Sequence, residues 1–109
     1  MPRESIGEFE QLILLAILRL GDEAYGIPIL DEIRARTGRS VLRPAVYVAL
    51  RRLEDKGLVR SRMGDATKER GGRAVKYYGL EPAGLALLQE SRRALFRMWD
   101  GLEPRLDGS

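Results

Sequence analysis

The sequence contains no cysteine and no histidine, and aromatic residues make up only 6% of it. Without these two residue types the chain cannot form disulfides, ligate zinc as a zinc finger does, or use Ser-His or Cys-His catalysis. A transition-metal site is not expected for the same reason, and no cofactor is implied. No pair of carboxylates lies within a pocket signature, so the sequence does not indicate an enzyme.

Long hydrophobic runs are missing as well. The most apolar stretch, Leu12–Leu18, is far shorter than the ~20 residues that a helix needs to cross a bilayer. The first five residues, Met1–Ser5, do not resemble a signal peptide. We therefore expect a cytoplasmic protein that has no membrane partner.

The charge is distributed unevenly along a chain of single-domain length. The 109 residues are 44% hydrophobic and carry a net charge of +3, which suits one globular domain. Residues 39–78 contain eleven Lys or Arg and four Asp or Glu, a local charge of +7, whereas the rest carries −4. A basic segment between acidic flanks indicates an anionic partner, most simply nucleic acid. A merely solvated, arginine-rich surface is the alternative.

The hydrophobic periodicity predicts three helices, a strand, a basic loop, a second strand and a last helix. The predicted elements cover residues 5–20, 25–37, 44–56, 58–63, 75–80 and 82 to 99 or 102. Ser5 and Glu8 are spaced as a capping box at the start of the first helix. We expect a mainly α fold with a small β-hairpin, a winged helix-turn-helix. The DNA-binding domain would span residues 1–80, and residues 81–109 would form a dimerisation helix and short tail.

In a winged helix-turn-helix the third helix enters the major groove and the hairpin lies along the backbone or minor groove. Arginine suits both places, because its planar fork bonds guanine or a phosphate through two hydrogens. The small side chains of Val48 and Ala49 permit close approach to a thymine methyl. The hairpin with its basic loop is the wing of this fold. The candidate DNA contacts are Arg43, Pro44, Tyr47, Val48, Arg51 and Arg52 around the third helix, and Lys68, Arg70, Arg73 and Lys76 in the wing.

Each of these assignments has a plainer alternative. Arg51 can pair with Asp55 one turn later on a solvent-facing helix, and Tyr47 can be a half-buried core aromatic. The basic loop can be a flexible, solvated one. For the whole chain, the alternative is a winged-helix module that binds another protein and never touches DNA, since fold alone does not decide function.

The first and last helices each carry more apolar surface than one buried stripe requires. These faces can complete each other across a two-fold axis, which predicts a homodimer. A pocket lined by Phe96 and Trp99 near this interface would accept a flat aromatic ligand; burial of both against the first helix is the alternative. The candidate interface residues are Leu14, Leu18, Leu88, Leu95, Phe96, Trp99 and Leu102.

Four blocks of sequence resemble the PadR-like winged-helix transcriptional regulators of bacteria. They are LILLAIL at 12–18, AYGIPI at 24–29, VYVALRRLEDKGLV at 46–59 and KYYGL at 76–80, followed by Gly84. The resemblance covers about residues 5–100, and the end of the chain soon after Trp99 is similar to the short-tailed subgroup. It implies a homodimeric repressor whose last helix packs against the first helix of the other subunit. Some members of the family release DNA on binding phenolic acids or hydrophobic drugs.

Overall fold

The elements follow one another in the predicted order. The computed structural model describes residues 6–65 and 74–102. The elements are α1 (Glu8–Leu20), a 3-10 turn (Gly21–Glu23), α2 (Gly26–Thr37), α3 (Arg43–Asp55), β1 (Val59–Met63), β2 (Lys76–Leu80) and α4 (Pro82–Trp99). This arrangement confirms the mainly helical winged helix-turn-helix. None of the helices in these ranges is long and apolar enough to cross a membrane.

The first helix begins later than the sequence predicts. Its first residue is Glu8, after Gly7 in extended backbone, and no side chain among the described residues caps it; Ser5, the predicted cap, lies outside them. The Glu8 carboxylate instead accepts a hydrogen bond from Arg39, between α2 and α3. Two residues further on, Glu10 pairs with Lys56 at 3.5 Å. The first turn of α1 therefore makes contacts on both sides of α3, which ties α3 to the body of the domain.

Apolar side chains of α1, α2 and α3 meet in one core. The largest fully buried side chains are Ile13, Leu14, Ile29, Val46, Leu50 and Leu53. Within the described ranges, no polar or charged side chain is buried. The hydrophobic effect is therefore the main force that holds the helices together.

The link between α2 and α3 is held by a side chain of α2. Gly38 ends α2 in the left-handed conformation, with φ of 68°, which glycine adopts without a steric penalty. The Arg34 guanidinium then donates two hydrogen bonds, of 3.1 and 2.7 Å, to the carbonyl of Val41. This double contact fixes the extended link, and with it the direction in which α3 begins.

The hairpin packs on α1, α3, α4 and the 3-10 turn through its backbone as well as its side chains. β1 and β2 are antiparallel, with the register running from Val59 opposite Leu80 to Met63 opposite Lys76. The Tyr78 N–H donates to the carbonyl of Ala24 at 2.8 Å. The hairpin is thus attached to the segment before α2 as well as to the end of α3.

Within residues 6–65 and 74–102, only the first half of α4 packs on the other elements. Gly84 and Leu88 are buried, whereas every side chain from Arg92 to Leu102 is exposed. At the start of the helix, the Glu81 N–H donates to the carbonyl of Leu58 at 3.0 Å. The second half of α4 therefore extends beyond the core and presents its apolar residues to the outside.

Candidate nucleic-acid interface

One face of α3 belongs to the core and the other is open. Val46, Ala49, Leu50 and Leu53 are buried. The suggestion that Ala49 approaches a base is therefore wrong, because its side chain is enclosed by the protomer. The exposed residues of the helix are Arg43, Pro44, Ala45, Tyr47, Val48, Arg51, Arg52 and Asp55. The open face thus combines small apolar side chains with three arginines.

The arginines of this face have no carboxylate partner in the part of the chain that the structure describes. Among the described residues, none places a carboxylate oxygen within 4.0 Å of Arg43, Arg51 or Arg52. The alternative pair of Arg51 with Asp55 is accordingly not formed. All three guanidinium groups can direct their donors to an outside acceptor, and their planar fork suits a phosphate or a guanine edge.

The sequence allows two interpretations of Tyr47, a DNA contact and a half-buried core aromatic, and its position in the structure is intermediate. Its side chain is 43% exposed, so it is neither a core residue nor a fully solvated one. A Cβ atom at Gly26 would lie 2.3 Å from the Tyr47 hydroxyl. The ring therefore rests on the backbone at the start of α2, and a larger residue at position 26 would require the ring to shift. Nothing local in the sequence connects these two positions.

The wing is described only in part. Lys68, Arg70 and Arg73 lie outside the described residues, whereas Lys76 is part of β2. The Lys76 ammonium lies 3.2 Å from Oε1 of Glu54, and Oε2 of Glu54 accepts a hydrogen bond from the Ser61 hydroxyl. The bond from Ser61, with the ion pair to Lys76, keeps the pKa of Glu54 below its usual range. The hydrogen bond to Glu54 in turn raises the pKa of Lys76, so both groups stay charged.

The opposite face of the hairpin carries two more arginines. The Arg62 guanidinium lies 4.6 Å from the centroid of the Tyr77 ring, and that ring meets Tyr25 edge to face at 5.4 Å. Arg60 donates to the carbonyl of Leu80 and lies 3.9 Å from the Glu81 carboxylate. These partners keep Arg60 and Arg62 close to the hairpin surface.

A second exposed surface lies between α1 and α4. It is a groove of about 710 Å³ lined by Gln11, Leu15, Leu18, Leu85, Leu88, Gln89, Arg92, Leu95, Phe96 and Trp99. Leu18 is 54% exposed and Phe96 59%, which is unusual for such large apolar side chains gathered in one place. The assignment of Leu14 to an interface is wrong, because that side chain is 0% exposed. Its neighbour Leu15 faces the groove instead.

Possible metal ligands do not gather anywhere in the described parts of the chain: no three Asp or Glu side chains come together there as a metal site. The chemistry that the exposed surfaces offer is that of guanidinium groups, aromatic rings and apolar side chains. These groups suit the binding of an anionic polymer at α3 and of an apolar surface at the groove.

Comparison with known proteins gives a consistent result. The model of the "Transcriptional regulator PadR-like family" matches residues 14–90. A PadR family regulator from Eggerthella lenta is 28% identical, with a TM-score of 0.68 and coverage of 94% of this chain and 88% of its own. A transcriptional regulator from Clostridium thermocellum is 25% identical, with a TM-score of 0.69 and coverage of 87% and 89%. A PadR family regulator from Clostridium difficile shares the fold, with 24% identity, a TM-score of 0.71 and coverage of 90% and 98%. No protein with a curated function matches the chain.

Proposed function

Because the chain belongs to the PadR-like family of transcriptional regulators, we propose that it is a homodimeric repressor that binds specific sequences of double-stranded DNA. The observation that supports this assignment best is the open face of α3. Its three arginines have no described carboxylate partner within ion-pair distance, and they lie in the most basic part of the chain. A helix used only for packing would not need such a surface.

In the proposed complex, each subunit inserts α3 into the major groove, with the two helices about 34 Å apart along the DNA. Arg51 and Arg52 read bases, and Val48 permits close approach. Arg43, Pro44 and Tyr47, near the start of the helix, meet the backbone. Lys68, Arg70 and Arg73 of the wing add phosphate contacts that do not depend on sequence.

The groove between α1 and α4 is the proposed dimer interface, with residues 81–109 as the dimerisation segment and residues 1–80 as the DNA-binding domain. A second copy would cover Leu18, Leu95 and Leu102, together with the edge of Leu88. Phe96 and Trp99 line the same groove. A flat aromatic effector inserted there would alter the separation of the two α3 helices and thereby release the DNA.

The first test is fluorescence anisotropy with the duplex upstream of the gene and a scrambled duplex, each over a salt series. We expect a clear preference for the upstream duplex and a steep loss of affinity with salt, since ~6–8 neutralised phosphates release that many counterions. If both duplexes bind weakly and equally, and selection from a random pool also enriches nothing, the protein is a protein-interaction module instead.

The variants Arg52→Ala and Arg73→Ala are expected to weaken binding in different ways. Loss of Arg52 removes a base contact, so discrimination at one position should fall by about 1–3 kcal/mol. Loss of Arg73 removes a phosphate contact, so all duplexes should bind more weakly to a similar extent, and the salt slope should fall by about 1. Both are read from anisotropy titrations on matched and mismatched duplexes.

Arg36→Ala is the matched control for these two variants. Arg36 is an exposed arginine of α2 that pairs with Glu32 on the same helix, away from the open face of α3. We expect its binding curves to match those of the wild type. If Arg52→Ala weakens every duplex as uniformly as Arg73→Ala does, Arg52 does not read bases.

A further inference from the structure

We propose that Glu54 is a positioning residue that fixes the wing relative to the recognition helix α3, and that Lys76 acts through Glu54 instead of contacting a phosphate. The wing is taken here as its two strands, β1 and β2. The inference rests on the proposed DNA-binding function, and it concerns the way in which the two DNA-contacting parts are held together.

The Glu54 carboxylate joins three elements. Glu54 lies in the last turn of α3, its Oε2 accepts the hydroxyl of Ser61 on β1, and its Oε1 lies 3.2 Å from the ammonium of Lys76 on β2. Ser61 and Lys76 are on different strands, opposite Tyr78 and Met63 respectively. One side chain of the recognition helix is therefore bonded to both strands of the wing.

These bonds supply a second attachment for the wing. The first is the backbone turn after α3, where the Gly57 N–H donates to the carbonyl of Glu54 and the Leu58 N–H to that of Leu53, both at 3.0 Å. An attachment at the base of a hairpin allows its far end to pivot. The bonds to Ser61 and Lys76 lie farther along the strands, so they restrict that motion before DNA arrives and lower the ordering cost of binding.

Lys76 is poorly placed as an independent phosphate contact. Its ammonium is already bonded to Glu54 and lies 5.7 Å from the centroid of the Tyr78 ring. Arg51 is close enough to repel it, and the Glu54 carboxylate offsets that repulsion. If Lys76 moved to a phosphate beyond the reach of Glu54, the bond that joins β2 to α3 through this carboxylate would be lost.

The test uses a duplex that the wild-type protein enriches from a random pool, and the variants E54Q, K76M, S61A and E54Q/K76M. By simple electrostatics, removal of a negative charge next to DNA strengthens binding. We expect the opposite for E54Q, about fivefold to tenfold weaker binding, as loss of one charge-assisted bond implies. Sequence preference should stay unchanged, since the base-reading face of α3 is untouched.

Two further readouts separate positioning from direct contact. The double variant should bind no more weakly than either single variant, because both break the same link. Hydroxyl-radical footprints of E54Q should lose protection where the wing lies and keep it where α3 lies. Glu32→Gln, which alters an ion pair within α2, is the matched control and should behave as the wild type.

Thermal melts check that each variant is folded, and S61A provides a milder test of the same link if E54Q is unstable. The proposal is overturned if E54Q binds as well as or better than the wild type. It is also overturned if the effects of E54Q and K76M add while K76M alone lowers the salt slope by about 1, the behaviour of a phosphate contact. A wild-type protein that enriches no duplex overturns the proposed function itself, and this inference with it.

Discussion

Leu95→Asp is expected to convert the protein from a dimer to a monomer and to weaken operator binding by about a hundredfold or more. Leu95 lies in the second half of α4, lines the groove, and is 51% exposed on the isolated chain. In a dimer closed across this groove, the new carboxylate would lose much of its water among apolar side chains. A monomer would engage one half-site alone and lose the gain from linked binding.

The exposure of Leu95 allows the loss of the dimer to be distinguished from a loss of the protomer fold. Because Leu95 is not part of the protomer core, the melting behaviour of the monomer should show that the fold is retained. Sedimentation or light scattering reports the oligomeric state, and anisotropy reports binding to the selected duplex. Ala94→Asp is the matched control: the next residue along α4 receives the same charge but does not line the groove. A Leu95→Asp protein that stays dimeric at the wild-type concentration contradicts the proposed interface.

The order and type of the elements could be predicted because each helix and strand has a clear local pattern. Apolar residues every three to four positions mark the inward face of α3, so the open face with Arg51 and Arg52 follows from the sequence. Glycines at 38 and 57 mark the ends of helices. These signals lie within a few residues of the structure they specify, which makes them readable without tertiary information.

The wrong expectations concern residues whose place is set by distant parts of the chain. A helix as apolar as α1 does not reveal which of Leu14 and Leu15 faces the core, because both choices bury a leucine. The first residue of α1, Glu8, is paired with Arg39, 31 residues away, a contact that no local pattern indicates. Ala49 is different, because it lies three residues after Val46 and four before Leu53, and its burial follows the local pattern of α3.

In the candidate site, too, some features follow from the local sequence and others depend on distant parts of the chain. The basic character of the segment from α3 to the wing is a property of composition, so the sequence alone predicts it. The partner of Lys76 cannot be predicted in this way, because it depends on the strand register that brings β2 alongside Glu54. A lysine in a basic wing is naturally taken as a phosphate contact, and only its 3.2 Å distance to a carboxylate indicates a different role.

Gly84→Ala is expected to destabilise the protein by about 2 kcal/mol or more, the effect of overpacking a rigid site. A Cβ atom at Gly84 would lie 2.3 Å from the carbonyl oxygen of Leu58. That oxygen belongs to backbone and already accepts a hydrogen bond from the Glu81 N–H, so it cannot move aside alone. α4 would have to shift away from β1 to relieve the clash.

The sign of the change in the free energy of unfolding distinguishes a steric clash from the ordinary effect of helix propensity. Replacing glycine by alanine inside a helix normally raises the free energy of unfolding by about 0.5–1 kcal/mol. The reverse substitution at the exposed Ala86 of the same helix should lower it by a similar amount. Urea melts of Gly84→Ala and Ala86→Gly therefore test the packing directly. If Gly84→Ala is as stable as the wild type or more so, α4 does not approach Leu58 as closely as the structure has it.

The two large predictions are linked, because α4 carries both the contact with Leu58 and the apolar groove. In a dimeric protein, a melt reports the protomer and the interface together, and it depends on concentration. Introducing Gly84→Ala into the monomeric Leu95→Asp protein removes the interface from the comparison. If the loss of stability is as large there as in the dimer, it arises from the clash within the protomer. If it is much smaller, the shift of α4 acts mainly by disrupting the proposed interface at the groove between α1 and α4.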